Sequence, residues 1–335
     1  MNTLSKNSKL SRRSTAIAIV IFGAAALLLP WVGAGPLGFV NVLHHQSPDY
    51  DIFMQLRVTR TLLGLFAGGA LSLAGALFQA MLRDALATPY TLGITGGASL
   101  GAVIVIAGGW STVLAMPGTW FGALAGALMA LGVVIGSSLS SRRISAFSLL
   151  LTGIAINSVC AACILILGGY AGMSRSFSIA HWLIGSVDST SFSSLTVLVL
   201  IVLILGTIIL MQARSWNLLA VGELWAASRG VRVTNLMWIG YVAGSILAAG
   251  AIALTGPIGF VGLIVPHLVR QKISADYRIL LPSAFFFGGA LLALCDAIGR
   301  ILIAPSEIPA GAMLALIGGP YLVWVIRQRQ PLEEA

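Results

Sequence analysis

Ionisable side chains are scarce in this sequence: 9% of its 335 residues are charged, nineteen of them basic and ten acidic. Arg57 and Arg60 stand at i, i+3, and Arg300 follows Asp296 by four residues, a spacing that sets two side chains on one helix face. Guanidinium groups suit bidentate recognition of carboxylates. These arginines therefore read as a dock for an acidic partner, against the alternatives of lipid-phosphate contact or a local pair with Asp296. Cys160 and Cys163 have redox or zinc spacing, but a zinc site needs more ligands than this pair offers. Both lie in an apolar stretch, as does Cys295, and all three read as helix-packing residues. His44 and His45 lack a supporting constellation, and His267, next to Pro266, reads as structural. No metal site is expected.

The chemistry that is missing is equally informative. Lysine occurs only at positions 6, 9 and 272, and none follows a glycine-rich strand-to-helix turn, so the chain has no phosphate-binding loop of its own. If ATP drives it, a separate subunit must bind the nucleotide and magnesium. There is no nucleophile–base set and no pair of carboxylates at helical spacing, which argues against an enzyme and against a resident cofactor. Ion-coupled transport usually relies on acids or histidines inside the membrane. The candidates are few: Asp296 reads better as the partner of Arg300, Asp188 and Glu307 sit at outer edges, and His267 reads as structural. The net charge of +9 does not indicate nucleic acid, because the basic residues punctuate apolar runs instead of forming one stripe.

Those runs set the fold class. With 58% hydrophobic residues, a water-soluble fold could not cover its surface, whereas stretches of about 20 apolar residues cross a bilayer. Approximate spans fall at 15–34, 57–80, 91–108, 118–139, 145–168, 193–212, 234–255, 258–269, 279–300 and 308–326. The expectation is an all-α membrane protein of about ten transmembrane helices with both termini cytoplasmic. In that topology 15 of the 19 basic residues lie inside, and only Arg57, Arg60, Arg175 and Arg300 lie outside, as positive-inside bias requires. The basic start at Lys6, Lys9, Arg12 and Arg13 anchors a retained first helix. Glycine pairs at four-residue spacing (64/68, 97/101, 118/122/126, 132/136, 240/244) suit close helix packing.

Two places break the regularity. Ala87-Thr88-Pro89 leads into a glycine-rich start at Gly93. Gly256-Pro257-Ile258-Gly259 opens a segment of about twelve residues closed by Pro266; at roughly 18 Å it is too short to cross the membrane. Such irregular backbone belongs beside a pathway, which makes Pro257, Gly259, Gly262 and Pro266 candidate pathway residues. The outer segment 169–191, with His181 and Trp182, reads as a short surface helix. The inner loop 213–233 reads as a short helix capped by glycine, with apolar positions that suggest a docking partner.

These motifs resemble, over nearly the whole chain, the permease family of ferric-siderophore, haem and cobalamin ABC importers (type II importers). The resemblance is carried by Arg57-Val58-Thr59-Arg60, Gly69 to Gly75 with Gln79, Asp84 to Pro89, Trp182 to Ser186, Leu219 to Glu223, Gly256 to Arg270, Asp296 to Arg300 and Glu307 to Gly311. It implies a second permease subunit (another copy or a homologue), two ATP-binding subunits, a periplasmic or lipid-anchored substrate-binding protein, a metal-chelate substrate and a place in the bacterial inner membrane. It further implies docking of the binding protein at Arg57, Arg60 and Arg300, ATPase coupling through Asn217, Gly222, Glu223 and Gly230, and a cytoplasmic gate at Asp84 and Leu86. The corresponding division is a cytoplasmic segment 1–14, a ten-helix permease domain 15–326 containing the coupling loop 213–233, and a tail 327–335. The chain departs from the family at Asp84-Ala85, where Asn-Pro is usual, and at Val58-Thr59, where Leu-Pro is usual.

Overall fold

A computed structural model describes residues 2–33, 35, 37–110, 112–113, 116–139, 146–304 and 306–329. Arg142, Arg143 and the tail beyond Arg329 lie outside them. The first half runs through α1 (Asn2–Leu28), α2 (Phe39–Leu43), α3 (Asp49–Asp51), α4 (Thr59–Leu82), α5 (Ile94–Gly108), α6 (Gly118–Leu139), α7 (Ala146–Tyr170) and α8 (Met173–Ile184). The second half comprises α9 (Phe192–Met211), α10 (Ala213–Val221), α11 (Glu223–Ser228), α12 (Val233–Thr255), α13 (Val261–Lys272), α14 (Tyr277–Leu302) and α15 (Ala310–Arg329). Apart from one two-residue antiparallel pair, Thr112–Val113 with Met116–Pro117, every regular element among the described residues is helical.

Seven helices are long and apolar enough to cross a bilayer, while Ile94–Gly108 and Ala310–Val325 are apolar but shorter. The helix containing α4 begins well before the expected span: it is continuous from Asp49 to Leu82, 34 residues, through a π-helical stretch at Ile52–Val58. It ends at Arg83, whose left-handed backbone (φ +53°) stops helical propagation. α1 likewise begins at Asn2, so the basic N-terminal residues belong to the first helix itself.

α4 forms the centre of the bundle, packed by α9, α12, α13 and α14, while α5 and α6 lie together with α7 against them. Small residues make these approaches possible. A Cβ on Gly75 would overlap the carbonyl of Gly262, and one on Gly101 would overlap the carbonyl of Gly122; the α4–α13 and α5–α6 crossings are therefore backbone-to-backbone contacts. The spacing of Gly132 and Gly136 carries no such contact: among the described residues neither has a group of another element within 4 Å of where a Cβ would stand.

The short segment after α12 differs from expectation in one respect. α13 does not end at Pro266 but runs through it to Lys272. Proline lacks an N–H, so it removes one helical bond, to the carbonyl four residues back. The helix survives because its other bonds are intact and because the freed carbonyl, that of Gly262, accepts from Gln79 Nε2 at 3.4 Å.

Candidate functional site

The interrupted segment faces a cleft of about 600 Å³. It is lined by the non-helical stretch Pro257–Gly259 with Phe260, Gly262 and Leu263, and by Leu86 and the loop Thr88–Thr91, and the lining carries no charged side chain. α12 stops at Gly256 (φ +67°), and Phe260 adopts a positive φ of 68° before α13 starts, a conformation that L side chains rarely adopt. Two motifs far apart in sequence hold this break in place. The N–H of Ser186 donates to the carbonyl of Thr255 at 2.8 Å, and the N–H of Gly311 donates to the carbonyl of Gly185 at 3.0 Å, which satisfies helix-end groups that would otherwise be orphaned.

Of the expected pathway residues, Pro257, Gly259 and Gly262 line the cleft. Pro266 does not; its effect is on the Gly262 carbonyl. Of the expected gate pair, Leu86 lines the cleft and is half exposed, but Asp84 does not reach the lining. Its Oδ1 accepts the N–H of Leu86 at 2.9 Å, closing an Asx turn that positions Leu86. A carboxylate oxygen does this as well as an amide oxygen, so the turn persists where asparagine is usual. Asn157 on α7 steadies the same loop, donating to the Tyr90 carbonyl at 2.6 Å and accepting from the N–H of Gly96 at 3.1 Å.

At the end expected to face outward the arginines are engaged inside the chain. Arg60 Nη2 lies 2.9 Å from Asp296 and 2.8 Å from Glu307. Arg300 Nε is 3.3 Å from the other oxygen of Asp296, and both Asp296 and Arg300 are buried. The Asp296–Arg300 pair was legible from spacing; its junction with Arg60 on α4 was not. Arg57 stands apart, buried, donating to the carbonyls of Trp31 (3.3 Å) and Gly35 (2.6 Å). The three arginines are thus held by the chain's own acceptors and are not displayed as free cations. Glu307, 46% exposed, is the most accessible member of the group.

At the end expected to face inward the loop expected to be one capped helix is two, α10 and α11, broken at Gly222, where the backbone is extended. Gly230 follows with φ +82°, a conformation that suits glycine. Trp216 and Leu219 on α10 are fully buried, whereas Val221, Leu224 and Trp225 expose apolar surface with Arg229 stacked 4.8 Å above Trp225. Glu223 pairs with Arg83 at 3.2 Å. Asn217 points inward and binds the start of α14: its Nδ2 donates to Asp276 at 2.7 Å, and its Oδ1 accepts the N–H of Tyr277 at 2.8 Å. Among the described residues no group of His, Cys, Asp and Glu could hold a metal.

A helical bundle with seven helices long and apolar enough to cross a bilayer, around a cleft without charged lining, has the architecture of a polytopic membrane protein. The chain belongs to the FecCD transport family, whose model matches residues 16–328. It is 36% identical to the hemin transport system permease protein HmuU of Yersinia pestis, over 94% of each chain. It is 37% identical to the ferric enterobactin permease FepD of Escherichia coli, over 85% of this chain and 84% of that one. A cobalamin import permease of Halobacterium salinarum is 32% identical, over 90% of this chain and 80% of that one. A solved structure titled as an inward-facing conformation of a metal-chelate type ABC transporter superimposes with a TM-score of 0.84 and 26% identity, covering 95% of this chain and 99% of that one.

Proposed function

We propose that this chain is the membrane-spanning permease subunit of an ABC importer that moves a metal chelate across the bacterial inner membrane into the cytoplasm. The observation that carries the reading is the uncharged cleft walled by the broken α12–α13 segment: a pathway without fixed charge passes a bulky chelate without trapping it. Ferric siderophore is the first candidate substrate, with haem and cobalamin next, in line with the substrates that the relatives' names carry. Ten passes leave both termini cytoplasmic, with 15–326 as the permease domain between the inner segments 1–14 and 327–335: the seven long helices, α5, α15, and one pass in which α13 is only the helical part and the non-helical residues 256–260 before it make up the length. A second permease subunit completes the pathway.

Two ATPase subunits engage the 213–233 loop through the apolar surface of Val221, Leu224 and Trp225. Asn217, Gly222, Glu223 and Gly230 give that loop its shape. ATP and magnesium belong to those subunits. A periplasmic or lipid-anchored binding protein delivers the chelate at the outer end, where its carboxylates take over from the chain's own acceptors around Arg57, Arg60 and Arg300.

The test is reconstitution with the ATPase and the binding protein, followed by uptake of labelled ferric enterobactin, haemin and cobalamin. ATP-dependent uptake of one ligand, lost when Arg57, Arg60 and Arg300 are changed together to Glu while the complex still assembles, is the expected result. Uptake that persists without ATP or the ATPase would point instead to ion-coupled transport.

A further inference from the structure

The inner loop and the cleft are joined by an unbroken path of hydrogen bonds. It starts at Asn217 on α10, which holds Asp276, the N-cap of α14, and the N–H of Tyr277. The Tyr277 hydroxyl lies 3.2 Å from Arg270 Nη2 near the end of α13. The same guanidinium donates through Nη1 to Gln79 Oε1 on α4 at 3.0 Å. With its oxygen fixed by Arg270, the Gln79 amide must turn its Nε2 the other way, toward the Gly262 carbonyl at 3.4 Å. Gly262 is a wall of the cleft, and its carbonyl is open to this bond because Pro266 supplies no N–H to it.

Three features set this path apart from ordinary packing. Gln79 and Tyr277 are buried, so their polar atoms have few alternatives, and a lost partner is costly there. The path crosses four helices, α10, α14, α13 and α4, at their polar contacts. Its two ends also coincide with the two places where the molecule must act, the loop available to a partner at one end and the cleft wall at the other.

We propose that Asn217, Tyr277, Arg270 and Gln79 are the positioning residues that couple displacement of the inner loop to movement of α13 at the cleft. None touches nucleotide or substrate; each acts by tying one helix to the next. This rests on the importer reading above. Spatial continuity alone does not demonstrate coupling, so the test is an exchange that breaks the path and then restores it.

Asn217→Asp removes the donor to Asp276 and sets two carboxylates against each other, while still accepting the Tyr277 N–H. Adding Asp276→Asn restores a donor–acceptor pair and keeps a good N-cap. The readout is the labelling rate, by a membrane-impermeant maleimide, of Leu263→Cys in a chain whose Cys160, Cys163 and Cys295 are replaced by Ala. The chain is purified as the complex with its ATPase and labelled with and without ATP plus vanadate. The parent complex should change its labelling rate on nucleotide trapping by roughly fivefold or more, the lower end of ordinary coupling. Asn217→Asp should bring that response below about twofold in complexes that carry the same amount of bound ATPase, and the exchanged pair should restore it.

A full response in Asn217→Asp, or no recovery in the exchanged pair, overturns the coupling path and leaves the importer reading standing. If Asn217→Asp does not assemble, Tyr277→Phe, which removes only the bond to Arg270, decides by the same criterion. A parent complex that does not respond to ATP overturns the importer reading and the coupling path together.

Discussion

The two ends of α14, outer and inner in the orientation proposed above, are built on opposite principles. At the outer end Asp296 and Arg300 are buried with Arg60 in a cluster of full charges, closed on its exposed side by Glu307. At the inner end Asp276 and Tyr277 are tied by an asparagine, a glutamine and one arginine to three other helices. A buried charge cluster has few acceptable arrangements, because separating its members strands a charge in a medium of low polarity. A chain of hydrogen bonds among mostly neutral groups can shift and re-form at a cost of about a kcal/mol per bond. The outer end is therefore suited to hold α4 against α14, and the inner end to pass displacement along.

That contrast breaks most decisively at Asp296. Asp296→Ala strands Arg300, whose Nε and Nη2 already lack hydrogen bonds in the described residues. A loss of about 3–5 kcal/mol is expected, read as a lower unfolding temperature of the detergent-solubilised chain. A smaller effect follows at the inner end. Tyr277→Phe removes one hydrogen bond with almost no change in volume and should cost about 0.5–1.5 kcal/mol in the same assay; a loss as large as that of Asp296→Ala would erase the distinction between the ends. Smallest is Arg83→Ala, which breaks a pair whose members are both 45% exposed. It should cost no more than about 1 kcal/mol, and the cost should vanish in high salt. A larger, salt-independent loss would show that the Arg83–Glu223 tie belongs with the buried network.

What the sequence reveals of this molecule follows the range of each interaction. Spans were legible because hydropathy is local, and the Asp296–Arg300 pair because i, i+4 neighbours meet on any helix. Arg60 with Asp296, 236 residues apart, was not, because the meeting depends on how α4 packs on α14. Pro266 was read as a helix end from its local effect. Whether a helix tolerates proline depends on who satisfies the freed carbonyl, and that group, Gln79, lies 183 residues earlier. The single capped helix expected in the loop 213–233 became two because the backbone is extended at Gly222 and the residues after it helix again against α12. Asp84 was assigned to the gate by resemblance, and only the geometry separates its turn-forming role from the lining role of Leu86.

The proline at 266 also links two positions that share no covalent neighbourhood. Any other residue there brings an N–H of its own, which would compete with Gln79 Nε2 for the Gly262 carbonyl. Drift at 266 and drift at 79 are therefore not independent events.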